Sequence, residues 1–255
     1  MTSTHQTRKW LGLGALLLAV LAFIVLGPLR NQSSMTPDDV EAMLNDGAVV
    51  PAQVAFYDQI GEDYPDEYAN FLTDMADTFN ARGDVNDAAA FELGVAFTQG
   101  LRRENAKFIK TAPADALRDM NYGMLGLLAQ LQEFPEICGL FAIYGGAGLS
   151  FDQVQKLDMN TMASVSATTF AAMAAGRDTP VIHPETSDAD IVHALSVWQQ
   201  KPDVSADMIR ALTLGDPQHP AQCAAQLSFQ RFVTEADDPV IVRAMIRLVT
   251  LSTGI

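Results

Sequence analysis

Hydrophobic and polar positions alternate along this chain with two different rhythms. The first is no alternation at all: Trp10–Leu29 reads as an unbroken apolar run without a charged residue. About 20 such residues suffice to cross a hydrocarbon core as a helix, so the run predicts a transmembrane anchor. Arg8 and Lys9 precede it and Arg30 follows it. With the N-terminal amine, the positive excess before the run favours the N-terminus inside. A cleaved signal peptide is the competing reading, since the flank is short and basic. It lacks an Ala-x-Ala site, and Pro28 would fall just after the best available cut at Val25-Leu-Gly27.

After the run the rhythm becomes three-four, and it persists to the end. Thr36 is a good N-cap, Pro37 suits a first helical position, and Asp38 and Asp39 suit the positive end of a helix dipole. Val40, Met43 and Leu44 then share one face, up to a stop at Asp46-Gly47. Pro51–Ile60 predicts a short helix ended by Gly61. Pro65–Arg82 predicts another, with Tyr68, Phe71, Leu72, Met75 and Phe79 at helical spacing. A helix capped by Asp84 runs to about Thr111, and the cleanest of all opens at Pro113 and carries Leu117, Met120, Met124, Leu127, Leu128, Leu131 and Phe134. Pro135 breaks it, and the next helix runs to Tyr144. Ser150 with Gln153 makes a capping box for one long helix, Phe151–Ala175, whose second half is almost entirely small residues. Ser and Thr content makes that half too weakly apolar for a second membrane span.

Ser187 and Asp190 form the next capping box, with Ile191, Leu195 and Trp198 as the buried stripe. Ser205–Leu214, Ala221–Thr234 and Val240–Leu251 complete the series, with Arg243 and Arg247 on the wet side of the last helix. Period-two stretches and Asn-Gly hairpin signals are almost lacking. The expected fold is therefore all-α: one N-terminal transmembrane helix, then a soluble bundle of about nine to ten helices. Residues 1–9 form a cytoplasmic tail, 10–29 the anchor, 30–50 a spacer with a short helix, and 51–255 the soluble domain. The Pro-containing loop at 177–187 is a possible internal boundary.

Ala81–Phe97 resembles the loop and second helix of a tetratricopeptide repeat, through its Gly-Asp turn, alanines and aromatic. The resemblance covers half a unit and has no second copy at a 34-residue period, so the stretch reads as a helical hairpin.

Charge narrows the functions. The formal net charge is −15. Only Arg8, Lys9 and Arg30 of the cations, and none of the acids, lie in the first 30 residues, which leaves about −18 on the remainder. That balance repels phosphate backbones, so nucleic-acid binding is not expected. It favours encounter with a basic protein partner. The only two cysteines, Cys138 and Cys223, are 85 positions apart. On the exported side of a membrane an even pair reads as a disulfide.

Catalytic, cofactor-binding and metal-ligating residues cannot be named from motifs. His183, Glu185, Asp190 and His193 offer zinc-type donors, but Asp190 is also what a helix start wants. Cys223 lies four residues after His219, and pairing with Cys138 competes with any Cys–His nucleophile. Gly145-Gly-Ala-Gly148 follows a helix rather than a strand and lacks a following Lys-Ser/Thr, so it reads as a hinge and not a phosphate cradle. The sequence thus points to a membrane-tethered, periplasmic interaction or assembly module of the inner membrane. A motif-free enzyme with an acidic or thiol site, and a carrier of a small apolar ligand along the Met- and Leu-rich helix Pro113–Phe134, are the alternatives.

Overall fold

The computed structural model describes residues 34–46, 50–82, 87–145, 149–154 and 156–252. The expected anchor at 10–29, with the tail before it, lies outside them. Among the described residues no helix is long and apolar enough to cross a membrane.

The described chain is all-helical, with twelve α-helices and no strand. They are α1 (Pro37–Asp46), α2 (Pro51–Asp63), α3 (Pro65–Arg82), α4 (Asp87–Asn105), α5 (Ala114–Leu131), α6 (Pro135–Tyr144), α7 (Phe151–Val154), α8 (Met159–Asp178), α9 (Asp188–Trp198), α10 (Ala206–Leu214), α11 (Gln222–Glu235) and α12 (Pro239–Ser252). A 3-10 segment, Ala106–Thr111, follows α4.

Three boundaries differ from the sequence reading. The expected single helix over 151–175 is two, because Asp158 starts α8 afresh by accepting from the Thr161 amide at 2.9 Å and its hydroxyl at 2.8 Å. The Asp158 amide, left free by the break, donates to Gln130 Oε1 on α5 at 3.2 Å. The expected continuous helix up to Thr111 tightens into the 3-10 segment after Asn105. And α2 runs through Gly61 to Asp63, with Tyr68 packed so close that a Cβ at 61 would sit 3.2 Å from its ring.

Two helices lie back to back at the centre. α8 is buried on most of its circumference, from Met162 and Ala163 through Phe170 to Gly176, as expected for its small residues. It packs on α2, α4 and the 3-10 segment on one side and on α5 on the other. α5 in turn carries α6, α11 and α12. The result is two layers. The N-terminal layer is α1–α4, the 3-10 segment and α8. The C-terminal layer is α5, α6 and α9–α12.

Where α8 meets the 3-10 segment the backbones nearly touch. A methyl at Gly176 would overlap the Phe108 carbonyl oxygen, and the Gly176 carbonyl accepts from Thr111 Oγ1 at 2.9 Å. The link from α8 to α9 is fastened to the same place: the Val181 amide donates to Thr111 O at 2.8 Å, and His183 Nε2 lies 2.7 Å from Ala112 O. A carbonyl only accepts, so that ring nitrogen carries a proton.

Candidate functional site

The chain enters the N-terminal layer at Met35, which is clamped to α3. Its amide donates to Asn80 Oδ1 at 2.6 Å, and Asn80 Nδ2 donates back to its carbonyl at 2.8 Å. One residue later Thr36 and Asp39 close a reciprocal cap: the Thr36 amide donates to Asp39 Oδ2 at 2.9 Å and the Asp39 amide to Thr36 Oγ1 at 3.2 Å. The Thr36 amide, more than any other group, holds the Asp39 carboxyl below the usual aspartate range. Val40, Met43 and Leu44 point inward from α1, as expected, so its acids point out.

The same sorting on α2 and α3 produces one chemical character. Between Asn31 and Ala81 the chain has eleven Asp and Glu and not one Lys, Arg or His. Asp38, Glu41, Asp46, Asp58, Glu62, Asp66, Asp74 and Asp77 are exposed. Glu41 of α1 and Asp58 of α2 converge on Tyr68 of α3. Burial first, then those two carboxylates, push its phenol well above the usual tyrosine range. Behind it Tyr57 is buried, with a hydroxyl that lacks a partner, and burial likewise raises its phenol. Three helices thus present a continuous anionic surface with a phenol among the carboxylates.

At the edge of this surface Arg177, near the end of α8, is already committed. It pairs with Asp178 at 2.6 Å, donates to the Asp63 carbonyl at 2.7 Å, and lies 4.9 Å from the Tyr64 ring centre. It caps α2 rather than neutralising the outer acids. Asp63, just behind, has its carboxyl raised, mainly by burial.

The residues singled out from sequence fall as follows. Cys138 of α6 and Cys223 of α11 face one another at disulfide distance, with Cα atoms 5.4 Å apart. His219 Nδ1 accepts from the Ala221 amide at 3.2 Å, so the ring belongs to the turn before α11 and not to a thiol. Asp190 does both jobs of a helix start: its Oδ2 accepts from the Ser187 amide at 2.8 Å and hydroxyl at 3.2 Å. Its Oδ1 accepts from Arg243 at 2.9 Å. The Ser187 amide and then Arg243 hold its carboxyl low.

Arg243 is therefore not a free surface cation, and neither is Arg247, which pairs with Asp188 at 2.5 Å. Both are half-buried between α9 and α12, where the periodicity of α12 alone placed them in water. With Asp190 committed, His193 exposed and His183 turned to Ala112, the zinc-type donors do not converge. Among the described residues no group of three or more His, Cys, Asp or Glu is arranged to hold a metal ion. Of the Gly-rich stretch, Gly145 ends α6 with φ 61°, a conformation that favours glycine. Residues 146–148, and His5, lie outside the described residues.

What motif reading missed is the segregation of charge. Total charge was visible from composition. Its concentration in residues 31–81 needed only a count by segment, and the fold then gathers those residues into one three-helix unit. Comparison of the chain with known protein families, with curated proteins and with solved structures finds no match.

Proposed function

We propose that this chain is a membrane-tethered, exported interaction or assembly module, which binds a basic protein partner through the acidic face of α1–α3. The observation that carries the reading is that face: eight exposed carboxylates, from a segment 31–81 that has no cation, with Glu41 and Asp58 converging on Tyr68. A surface of one sign speeds encounter with a partner of the other and fixes which way round it docks.

The address follows from Trp10–Leu29. That run anchors the chain in the inner membrane with the N-terminus in the cytoplasm and the helical layers in the periplasm. The paired Cys138 and Cys223 suit such an oxidising space. The tether is short: from Arg30 to the clamp at Met35 the chain reaches at most about 17 Å at full extension. The acidic layer is thereby held close to the bilayer, where a partner emerging from or lying along the membrane meets it first.

The test has two arms. A periplasm-dependent reporter fused after Ile255 is expected to be active; activity confined to the cytosol overturns the address. A photo-cross-linking side chain at Asp58 in intact cells is expected to trap a protein with a basic surface. Cross-linking should fall when Glu41, Glu62 and Asp66 are changed to Gln or Asn. A probe at Gln200 of the other layer serves as control. Equal trapping at both positions, or trapping unaffected by the neutralised face, overturns the partner reading.

A further inference from the structure

A second surface has a different chemistry. Where α5 and α8 cross, Gly123 lets the helices close so tightly that a Cβ there would lie 2.8 Å from Thr168 Oγ1 and 3.3 Å from the Val165 Cα, while a Cβ at Gly126 would make an ordinary contact 3.9 Å from Thr161 Cγ2. On the outer side of that seam is an open groove of about 550 Å³, lined by Asp119, Tyr122, Asn160, Thr161, Ser164 and Thr168, with the two glycines as its floor. Thr161 and Thr168 spend their hydroxyls on their own helix, the first on Asp158 and the second on the Ser164 carbonyl at 3.0 Å. Asp119, Tyr122, Asn160 and Ser164 are exposed, and their side chains make no hydrogen bond within the described chain.

Tyr122 sets this groove apart. It is 45% exposed, whereas the other Tyr, Phe and Trp side chains whose burial is described are buried or half-buried. A half-exposed ring offers an apolar face that a ligand stacking on it would take out of water. Around it the uncommitted groups are of both kinds. The Asp119 carboxylate only accepts, whereas the Asn160 amide, the Ser164 hydroxyl and the Tyr122 phenol both donate and accept. A lysine ammonium has no use for donors. An aliphatic ligand has no use for either. A sugar uses all of them, because its hydroxyls donate and accept at once and its C–H face stacks on a ring.

We infer that the α5/α8 groove binds a neutral oligosaccharide, with Tyr122 stacking on one pyranose face and Asp119, Asn160 and Ser164 bonding its hydroxyls. The chain's net charge of −15 disfavours an anionic glycan. Being open, the groove takes a segment of a chain rather than enclosing one residue, and the affinity of such a site is on the order of 1 mM. The site lies on a different pair of helices from the acidic face of α1–α3, so the two activities are separable.

The test is ligand-observed saturation-transfer NMR on the full chain in a detergent without a sugar headgroup. The probes are the tetrasaccharide of N-acetylglucosamine, maltotetraose and hexalysine, each up to about 10 mM. Transfer to at least one tetrasaccharide is expected, with Tyr122→Ala weakening it about tenfold or more and Asn160→Ala a few-fold. Asn160 is exposed and Tyr122 partly so, so both variants should still melt cooperatively, Asn160→Ala with the parent and Tyr122→Ala a few degrees below it, which separates lost binding from lost fold. Three results overturn the inference: no transfer to either tetrasaccharide, transfer that survives Tyr122→Ala unchanged, or Asp119-dependent binding of hexalysine alone.

Discussion

The two layers solve the same packing problem with opposite electrostatics. In the N-terminal layer most charge is expelled to the surface, Arg177 on the end of α2 apart, and apolar or neutral contacts join the helices. Phe71 stacks on Phe97 at 4.3 Å, Tyr64 donates its hydroxyl to the Phe170 carbonyl at 2.9 Å, and Asn80 clamps Met35. In the C-terminal layer polar groups do the joining. Arg243 reaches Asp190 and Arg247 reaches Asp188 across α9 and α12, Asn121 of α5 donates to Thr234 of α11 at 2.5 Å, and Cys138 meets Cys223. The C-terminal layer spends Asp188 and Asp190 on joining α9 to α12. The layer that holds itself by apolar faces keeps its carboxylates for something else, at the cost of their mutual repulsion.

Removing the cysteine pair is the most severe way to break this contrast. Cys138→Ala with Cys223→Ala opens a loop of 85 positions, for which loop-closure entropy gives about 4 kcal/mol. Urea unfolding of the double variant should show its midpoint well below that of the parent, and reductant should bring the parent down to meet it. A parent midpoint indifferent to reductant would mean the sulfurs are unbonded, leaving the C-terminal layer joined by ion pairs and packing alone.

A matched pair of glycine changes compares how rigidly each layer is backed. A methyl at Gly176 overlaps the Phe108 carbonyl oxygen and comes within 2.9 Å of the Ala112 amide, in a 3-10 segment wedged between α4 and α8. A methyl at Gly139 overlaps the Pro217 carbonyl oxygen, but the 215–220 turn is largely on the surface and can retreat. Gly176→Ala should therefore cost about 3 kcal/mol and Gly139→Ala about 1 kcal/mol. Equal losses in thermal unfolding would show that the turn is as fixed as the 3-10 segment.

That pair also marks the limit of what the sequence makes legible. Helix identity was readable almost throughout, since three-four spacing and caps such as Thr36–Asp39 and Ser187–Asp190 are local signals. The cysteine pairing was readable from their even number together with the expectation of export, and the two lie at disulfide distance. The break before α8 was not, because apolar spacing continues across it and only the Asp158–Thr161 cap, two residues of ordinary type, marks it. Nor was the role of Arg243 and Arg247, whose partners lie 53 and 59 residues away on another helix. Gly123 carries no local signal of its role, which only the closeness of α8 shows. Tyr122 was passed over because it stands outside the buried stripe, which is the property that makes it a candidate contact.

The gentlest comparison is acidification, which acts with opposite sign on one half-buried or buried carboxyl of each layer. Asp190 in the C-terminal layer has its carboxyl held low by the Ser187 amide and by Arg243. Its contribution is complete above the pH at which an unfolded aspartate ionises, about 4, and is lost as the pH falls further through its folded value. Asp63 in the N-terminal layer has its carboxyl raised by burial. The charged form is the penalised one, so its contribution is greatest below pH 4 and is lost as the pH rises through the folded value. Asp190→Asn should accordingly flatten the decline in melting temperature on the acid side while lowering it at neutral pH. Asp63→Asn should raise the neutral-pH value slightly, because Gln59, whose amide donates to Asp63 at 2.8 Å, can satisfy an uncharged carboxamide as well. If both substitutions shift the acid limb in the same direction, the two layers share one electrostatic logic and the free carboxylates of α1–α3 lose their claim to be held for a partner.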